Sequence, residues 1–172
     1  MKKLLLLLLL PLFFSCSENN SEPNQNPNPD NNNAIDDTNP IYLHTNGVTI
    51  KARDWAKIGD TGIIDGITYT IVDRETLQEM ILDGEDVTLV CTSKITELHE
   101  LFYQNDTFNQ DIRSWDVSNV TDMNYMFYGA KSFNQNIGFW DVSSVSNMGS
   151  MFGNAESFNQ ALGMWNVDNV SR

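Results

Sequence analysis

Cysteine is nearly absent: Cys16 and Cys91 are the two that 172 residues carry. With Cys16 in a leader, Cys91 is left alone, which excludes a disulfide framework within one chain and any zinc-type ligand spacing. Positive charge is also short. Ten Lys and Arg stand against 23 Asp and Glu, for a net charge of −13. A phosphate backbone is held by a basic face, so nucleic acid is excluded as an expected partner. A membrane-spanning run is missing too, because Leu4–Leu10 with Leu12–Phe14 is too short to cross a bilayer as a stable helix. Catalytic signatures are lacking as well. His44 and His99 have no recognisable nucleophile motif beside them, and the serines fall at expected caps and turns. The expectation is a chain that is no enzyme, with no catalytic residue, cofactor or metal.

What is present starts with that leader. Lys2 and Lys3 precede the apolar run, Ser15 is small, and hydrophilic sequence follows Cys16 at once. This is the order of a secretory signal peptide. Phe13-Phe14-Ser15-Cys16 resembles a bacterial lipobox, so residues 1–16 are read as a lipoprotein signal peptide with Cys16 as the lipidation site. Each acyl chain contributes about 0.8 kcal/mol per buried CH₂, enough in multiple copies to hold a protein on a membrane. Without Lys2 and Lys3, 8 basic and 23 acidic side chains remain, a net charge of −15. Residues 17–40, "SENNSEPNQNPNPDNNNAIDDTNP", contain Ile35 as their only aliphatic larger than alanine. Such a segment cannot bury enough apolar surface to offset its ordering entropy, so a disordered Asn/Pro-rich tether is expected. "CSENNSE" resembles the acidic post-cysteine sequences of outward-facing lipoproteins in some Gram-negative bacteria. That implies the cell envelope, with the anchor in the outer membrane and the protein facing the exterior.

Residues 41–84 read as an N-terminal cap. "IYLHTNGVTIKA" places two β-rich runs around Asn46-Gly47, a hairpin signal. "ITYTIV" at Ile67–Val72 is a further strand by its β-branched content. Asp73 is placed to cap a helix over Arg74–Leu82, whose Leu77, Met80 and Ile81 share a face, and Gly84 closes it.

Residues 85–172 repeat. The triplet FNQ recurs at Phe108, Phe133 and Phe158, and Trp115, Trp140 and Trp165 keep the same 25-residue step. Residues 108–132 laid over 133–157 match at 14 of 25 positions. Shifted back by 25, the apolar positions land on Val87, Val90, Ile95, Leu98, Leu101 and Phe102, so a degenerate first unit begins near residue 85. A fixed period of this length marks an array in which each unit buries its neighbour's apolar face. Val120, Met123, Met126, Phe127 and Ala130 fall at helical spacing, and Ser93, Ser118, Ser143 and Asp168 stand where N-caps would. Residues 112–117 are expected to form a short strand or extended turn. The expected fold is therefore α/β: a solenoid of about three and a half 25-residue units, each a strand or turn plus a short helix, with an incomplete last unit. Asn109, Asn134 and Asn159 are expected to ladder onto adjacent coils, a glycan-binding row being the alternative. Asp116 and Asp141 form a stacked acid pair that would hold a cation only if Asn166 did not break the row.

"FNQDIRSWDVSNVTDMNYMFYGAKSFNQNIGFWDVSSV", residues 108–145, closely resembles the BspA-like leucine-rich-repeat surface proteins, whose module is also known from mycoplasma lipoproteins. The resemblance implies a leucine-rich-repeat-like solenoid on a bacterial surface, a role in adhesion or protein binding, and no catalytic residues. The binding face is expected where copies differ, at Arg113, Phe139, Met164, Tyr125 and Tyr128. Extracellular protein or glycan is the expected partner, with the membrane held through the lipid. Two other readings stay open: a truncated assembly module that self-associates through an uncapped C-terminal end, and a surface hydrolase. Register makes the first prediction. Deleting all of residues 133–157 leaves a chain that still unfolds cooperatively in urea, whereas deleting residues 133–144 abolishes the transition. Equal behaviour of the two deletions would end the repeat reading.

Overall fold

The structure, a computed structural model, describes residues 37–172. The leader, Cys16 and tether residues 17–36 lie outside the described residues. Residues 37–40, read from sequence as the end of the tether, are tied to the fold. Asn39 Nδ2 donates to Ile63 O at 2.7 Å, and Arg53 N donates to Pro40 O at 2.8 Å.

Strands β1 (Ile41–Leu43) and β2 (Ile50–Ala52) pair antiparallel in a two-stranded sheet. Asn46 turns the loop between them, its Oδ1 accepting from the amides of Val48 and Thr49, while Gly47 takes φ +72°. Strands β3 (Thr61–Ile64) and β4 (Ile67–Ile71) form a second hairpin, and β4 pairs parallel with β5 (Val90–Cys91). Helix α1 (Arg74–Leu82) lies between β4 and β5 in sequence. The Asp73 carboxylate accepts from Thr76 N at 2.9 Å and caps its start. At its end the amides of Gly84 and Glu85 return to the carbonyls of Ile81 and Met80, a Schellman closure with Gly84 at φ +73°. Leu77 is buried, with Met80 and Ile81 packed beside it on the core of the repeats.

The α/β solenoid expected from the periodicity, and the leucine-rich-repeat-like form that the resemblance implies, are not found among the described residues. The described residues hold five short strands in two small sheets and one helix, α1, which lies outside the aligned copies. The segment 118–130 is a chain of turns. Apolar residues at 123, 126, 127 and 130 fit a helix, but they fit equally two successive four-residue turns that each end in a left-handed residue. Tyr125 and Gly129 take φ +54° and +72°; their counterparts Glu100, Gln104, Ser150 and Asn154 lie between +53° and +56°. Each left-handed residue ends the helical path, at about 1 kcal/mol or more for a non-glycine. The freed amides then leave the segment. Met123, Tyr125, Phe127 and Gly129 donate to the carbonyls of Asn147, Gly149, Met151 and Gly153, and Leu98, Glu100, Phe102 and Gln104 donate likewise to Asp122, Asn124, Met126 and Tyr128. Parallel bridges link Glu97, Asp122 and Asn147 in a row.

The expected N-cap serines also do other work. Ser118 donates through N and Oγ to Asp116 Oδ1, and Ser143 does the same to Asp141 Oδ1. These are Asx turns, in which a short acidic side chain holds the backbone two residues on. Residues 112–117 form no strand; Trp115 N returns to Ile112 O at 3.2 Å in a tight turn.

One core cluster runs from Val72 and Leu77 through the repeats to Met151. Phe102, Phe127 and Phe152 stack at 5.3 and 5.6 Å, and Phe108, Phe133 and Phe158 at 6.0 and 5.7 Å. Trp115 and Trp140 lie parallel, 6.5 Å apart. Such ring pairs add about 0.5–1.5 kcal/mol each beyond the area they bury. A second, smaller cluster of Ile41, Ile50, Ala56, Ile71 and Cys91 lies under the hairpins.

A buried carboxylate fastens β2 to the repeats. Asp116, 4% exposed, accepts from Ser93 Oγ at 2.6 Å and Ser118 Oγ at 2.7 Å, and lies 3.2 Å from Lys51 Nζ. Ser93 Oγ in turn accepts from Ala52 N. Burial pushes the Asp116 carboxyl up, but the bonds from Ser93 and Ser118 and the Lys51 charge together hold it below its usual 3.8. A depressed folded-state pKa gives stability that is present above about pH 4 and is lost as pH falls through the folded value. Asp116→Ala therefore lowers the unfolding free energy by about 3 kcal/mol at pH 7, since Lys51 and both serines lose their partner. Urea titrations across pH 2–7 check this; the gap between wild type and variant narrows below about pH 4. Equal stability at pH 7 would remove Asp116 from the account.

Candidate functional site

Turns of adjacent copies bring three tyrosines together. Tyr103 and Tyr128 are one repeat apart and stack at 5.4 Å between ring centroids. Tyr125, held left-handed by its turn, meets both rings edge-on at 6.1 and 5.4 Å. Tyr103 is 44% exposed, and Tyr125 and Tyr128 are half-buried. Gly153 follows Tyr128 at the same repeat position, and a Cβ there would lie 2.6 Å from the Tyr128 ring. Tyr128 is thus sandwiched between Tyr103 and the Gly153 backbone, with its hydroxyl accepting from Asn154 Nδ2 at 3.0 Å.

Beside this cluster runs a groove of about 360 Å³. Gln104, Asp106, Tyr128, Lys131, Asn154 and Glu156 line it. Asp106, Lys131 and Glu156 are repeat equivalents, so the groove carries charges of alternating sign along the direction in which the copies succeed one another. Such a surface offers aromatic edges, hydroxyls and charges of both signs.

The structure splits the expected binding face. Tyr125 and Tyr128 are brought together, and Tyr103 joins them. Tyr103 went unnoticed in the sequence although shifting Tyr128 back by 25 points to it. Arg113 lies in a separate groove with Gly47, Tyr69 and Leu89, its guanidinium engaged by the Asp111 carboxylate at 2.5 Å. Arg113 holds the Asp111 carboxyl below its usual range, mainly by hydrogen bonding. Phe139 and Met164 are 44% and 78% exposed and share their repeat position with Ser114 and the exposed Leu89.

The repeated positions have structural partners. Asn134 N donates to Asn109 Oδ1 and Asn159 N to Asn134 Oδ1, while Gln135 and Gln160 amides reach back to the same residues. Trp115, Trp140 and Trp165 each donate Nε1 to a carbonyl 28 residues earlier, at 3.0–3.3 Å. Phe133 and Trp115 are fully buried, Phe108 and Trp140 nearly so, and Phe158 and Trp165 half-buried. The acid row is split: Asp116 pairs with Lys51, whereas Asp141 is exposed. Among the described residues no group of three or more His, Cys, Asp or Glu is placed to hold a metal. His99 Nδ1 lies 3.6 Å from Glu97, and His44 sits in the β1–β2 loop.

Cys91 is buried, its Sγ 3.5 Å from both Ile50 O and Ser93 Oγ. Burial pushes the thiol pKa up, and the nearby Asp116 charge adds to it, against the hydrogen bonds from Ser93. A raised thiol pKa leaves little thiolate to react at neutral pH. In a Cys16→Ser chain, Cys91 therefore stays unlabelled by thiol reagents under native conditions and labels fully in denaturant. Rapid native labelling would contradict the burial.

Against known proteins, one family matches, described as "Mycoplasma protein of unknown function, DUF285", over residues 74–172. No curated protein and no solved structure matches the chain. The match begins at α1 and takes in every repeat, more than half of the sequence. It supports the mycoplasma side of the resemblance noted in residues 108–145, and the BspA-like side lies outside it. The chain belongs to the DUF285 family of Mycoplasma proteins of unknown function.

Proposed function

We propose that this chain is a non-catalytic binding module displayed at the cell envelope, held to the outer membrane by lipid on Cys16, and that it docks a protein partner on the Tyr103–Tyr125–Tyr128 cluster. The observation that carries this is the cluster itself. Three tyrosines in mutual contact stay open to solvent beside a groove with charges of both signs, while the invariant Phe, Trp and Met positions are used for packing. Tyrosine contributes large contact area at low entropic cost, and such residues dominate protein interfaces. A protein is favoured over a glycan because both faces of Tyr128 are covered, which leaves its edge and hydroxyl rather than a flat face for a sugar ring. The resemblance of residues 108–145 to BspA-like surface proteins supports the same role. Immobilised extracellular-matrix proteins and a glycan array provide the test. A Tyr103→Ser/Tyr125→Ser variant loses about tenfold or more in retention on the protein partner and, although it gives up the ring contacts of the cluster, still unfolds in one cooperative transition. Equal retention removes the cluster from the proposal, and retention on glycans alone transfers the site to the other ligand class.

A further inference from the structure

Several charged side chains of the repeats are engaged by the fold itself. Asp111 holds Arg113, Asp116 holds Lys51 and two serines, and Asp122 accepts from Asn124 N and Asn147 Nδ2. Asp106, Lys131 and Glu156 are not used in this way. All three are exposed, and among the described residues their charged atoms enter no ion pair. Backbone bonds hold them in one column. Ser132 N donates to Asp106 O at 3.0 Å and Ser157 N to Lys131 O at 3.1 Å, so each copy sets its charge beside that of the copy before. Backbones bonded in this manner lie about 5 Å apart. Tyr103 and Tyr128, which precede Asp106 and Lys131 in their copies, stack at 5.4 Å. The groove beside Tyr128 therefore presents acid, base, acid in steps of about 5 Å.

A partner meets this column best by offering base, acid, base. The same three charges in another order set like against like, which is repelled. Step length selects the backbone that can offer them. An extended strand returns to one side every second residue, about 6.6–6.8 Å on. Side chains four apart on a helix lie about 5–6 Å from one another at Cβ. Over three charges a strand outruns the column by about 3 Å, whereas a helix keeps step with it. The acidic excess of the chain, −13 overall, draws the two bases in at long range, and Lys131 between its two acids fixes their register.

We infer that the groove beside Tyr128 receives one face of a partner helix that carries Lys or Arg, then Glu or Asp, then Lys or Arg, each four residues after the last. The inference rests on the reading of the tyrosine cluster as a protein-docking site and adds the chemistry of the partner. The test uses the full-length chain and labelled alanine-based helical peptides, with binding read by fluorescence anisotropy. One peptide carries Lys, Glu and Lys at i, i+4 and i+8; a second, of equal net charge, carries Lys, Lys and Glu at the same positions. The first binds about fivefold more tightly at low ionic strength, and the preference falls toward parity at about 1 M NaCl. A Lys131→Glu chain, changed at an exposed side chain and still unfolding in one cooperative transition, loses the preference. Equal binding of the two peptides by the wild-type chain, or no binding of either, overturns the helix assignment. The Tyr103→Ser/Tyr125→Ser variant then separates the two claims. If it loses retention on the protein partner, docking on the cluster stands without the charge column; if it keeps full retention, both fall.

Discussion

Everything in the repeats depends on where their amides point. A backbone amide near 98–104 or 123–129 has two choices: close a helical turn within its own copy, or cross to a carbonyl 24 residues on. Left-handed residues at 100, 104, 125 and 129 force the second choice at alternate positions. Each crossing bond contributes about 1 kcal/mol net, but the larger effect is geometric. Fixed crossings set the distance at which Phe meets Phe and Trp meets Trp, so the aromatic columns and the amide ladder follow from the backbone pairing.

That constraint divides the sequence into two classes of position. Residues that point inward are tied to their copies by rings and crossing bonds and have little freedom to vary. Side chains at the turn corners lie outside the core although their backbone keeps the crossing bonds, and there the copies diverge: Tyr125 against Ser150, Tyr128 against Gly153, Arg113 against Gly138. The tyrosine groove is built from corner positions of the repeats, and the Arg113 groove joins such positions to Gly47, Val48 and Tyr69 of the hairpins. At the other end of the fold, Asp116 shows how a repeated corner is recruited for a single use. The aspartate that simply holds an Asx turn at 141 is buried at 116 because Lys51, Ser93 and the β2 amide of Ala52 converge on it.

Legibility followed from how many conformations each pattern allows. The α1 helix could be read to the residue because Asp73, Leu77 and Gly84 each specify one local structure, a cap, a buried face and a left-handed close. Period and core could be read because recurrence at 25 residues and apolar identity do not depend on secondary structure. Helix within the repeats was wrong because Met123, Met126, Phe127 and Ala130 share a face in a helix and also share a side in paired tight turns. Hydrophobic spacing does not separate the two. The deciding signal was φ at Tyr125 and Ser150, which neither side chain announces. Ser118 and Ser143 misled for a related reason, since a serine that caps a helix and one that closes an Asx turn occupy the same kind of sequence. The candidate site was half legible: Tyr125 and Tyr128 stood out as variable aromatics. Tyr103 was hidden in the degenerate copy, and Asp116 looked like one of a row of equals.

Gly153 stands where Tyr103 and Tyr128 have aromatic rings, and there the tyrosine column stops. A bulky residue at that position would collide with the Tyr128 ring, which lines the neighbouring groove. The placing of the Tyr128 ring is therefore tied to one corner residue, apart from the Phe and Trp columns of the core. Point changes at that corner would reshape the wall beside Tyr128 while the interior stays untouched.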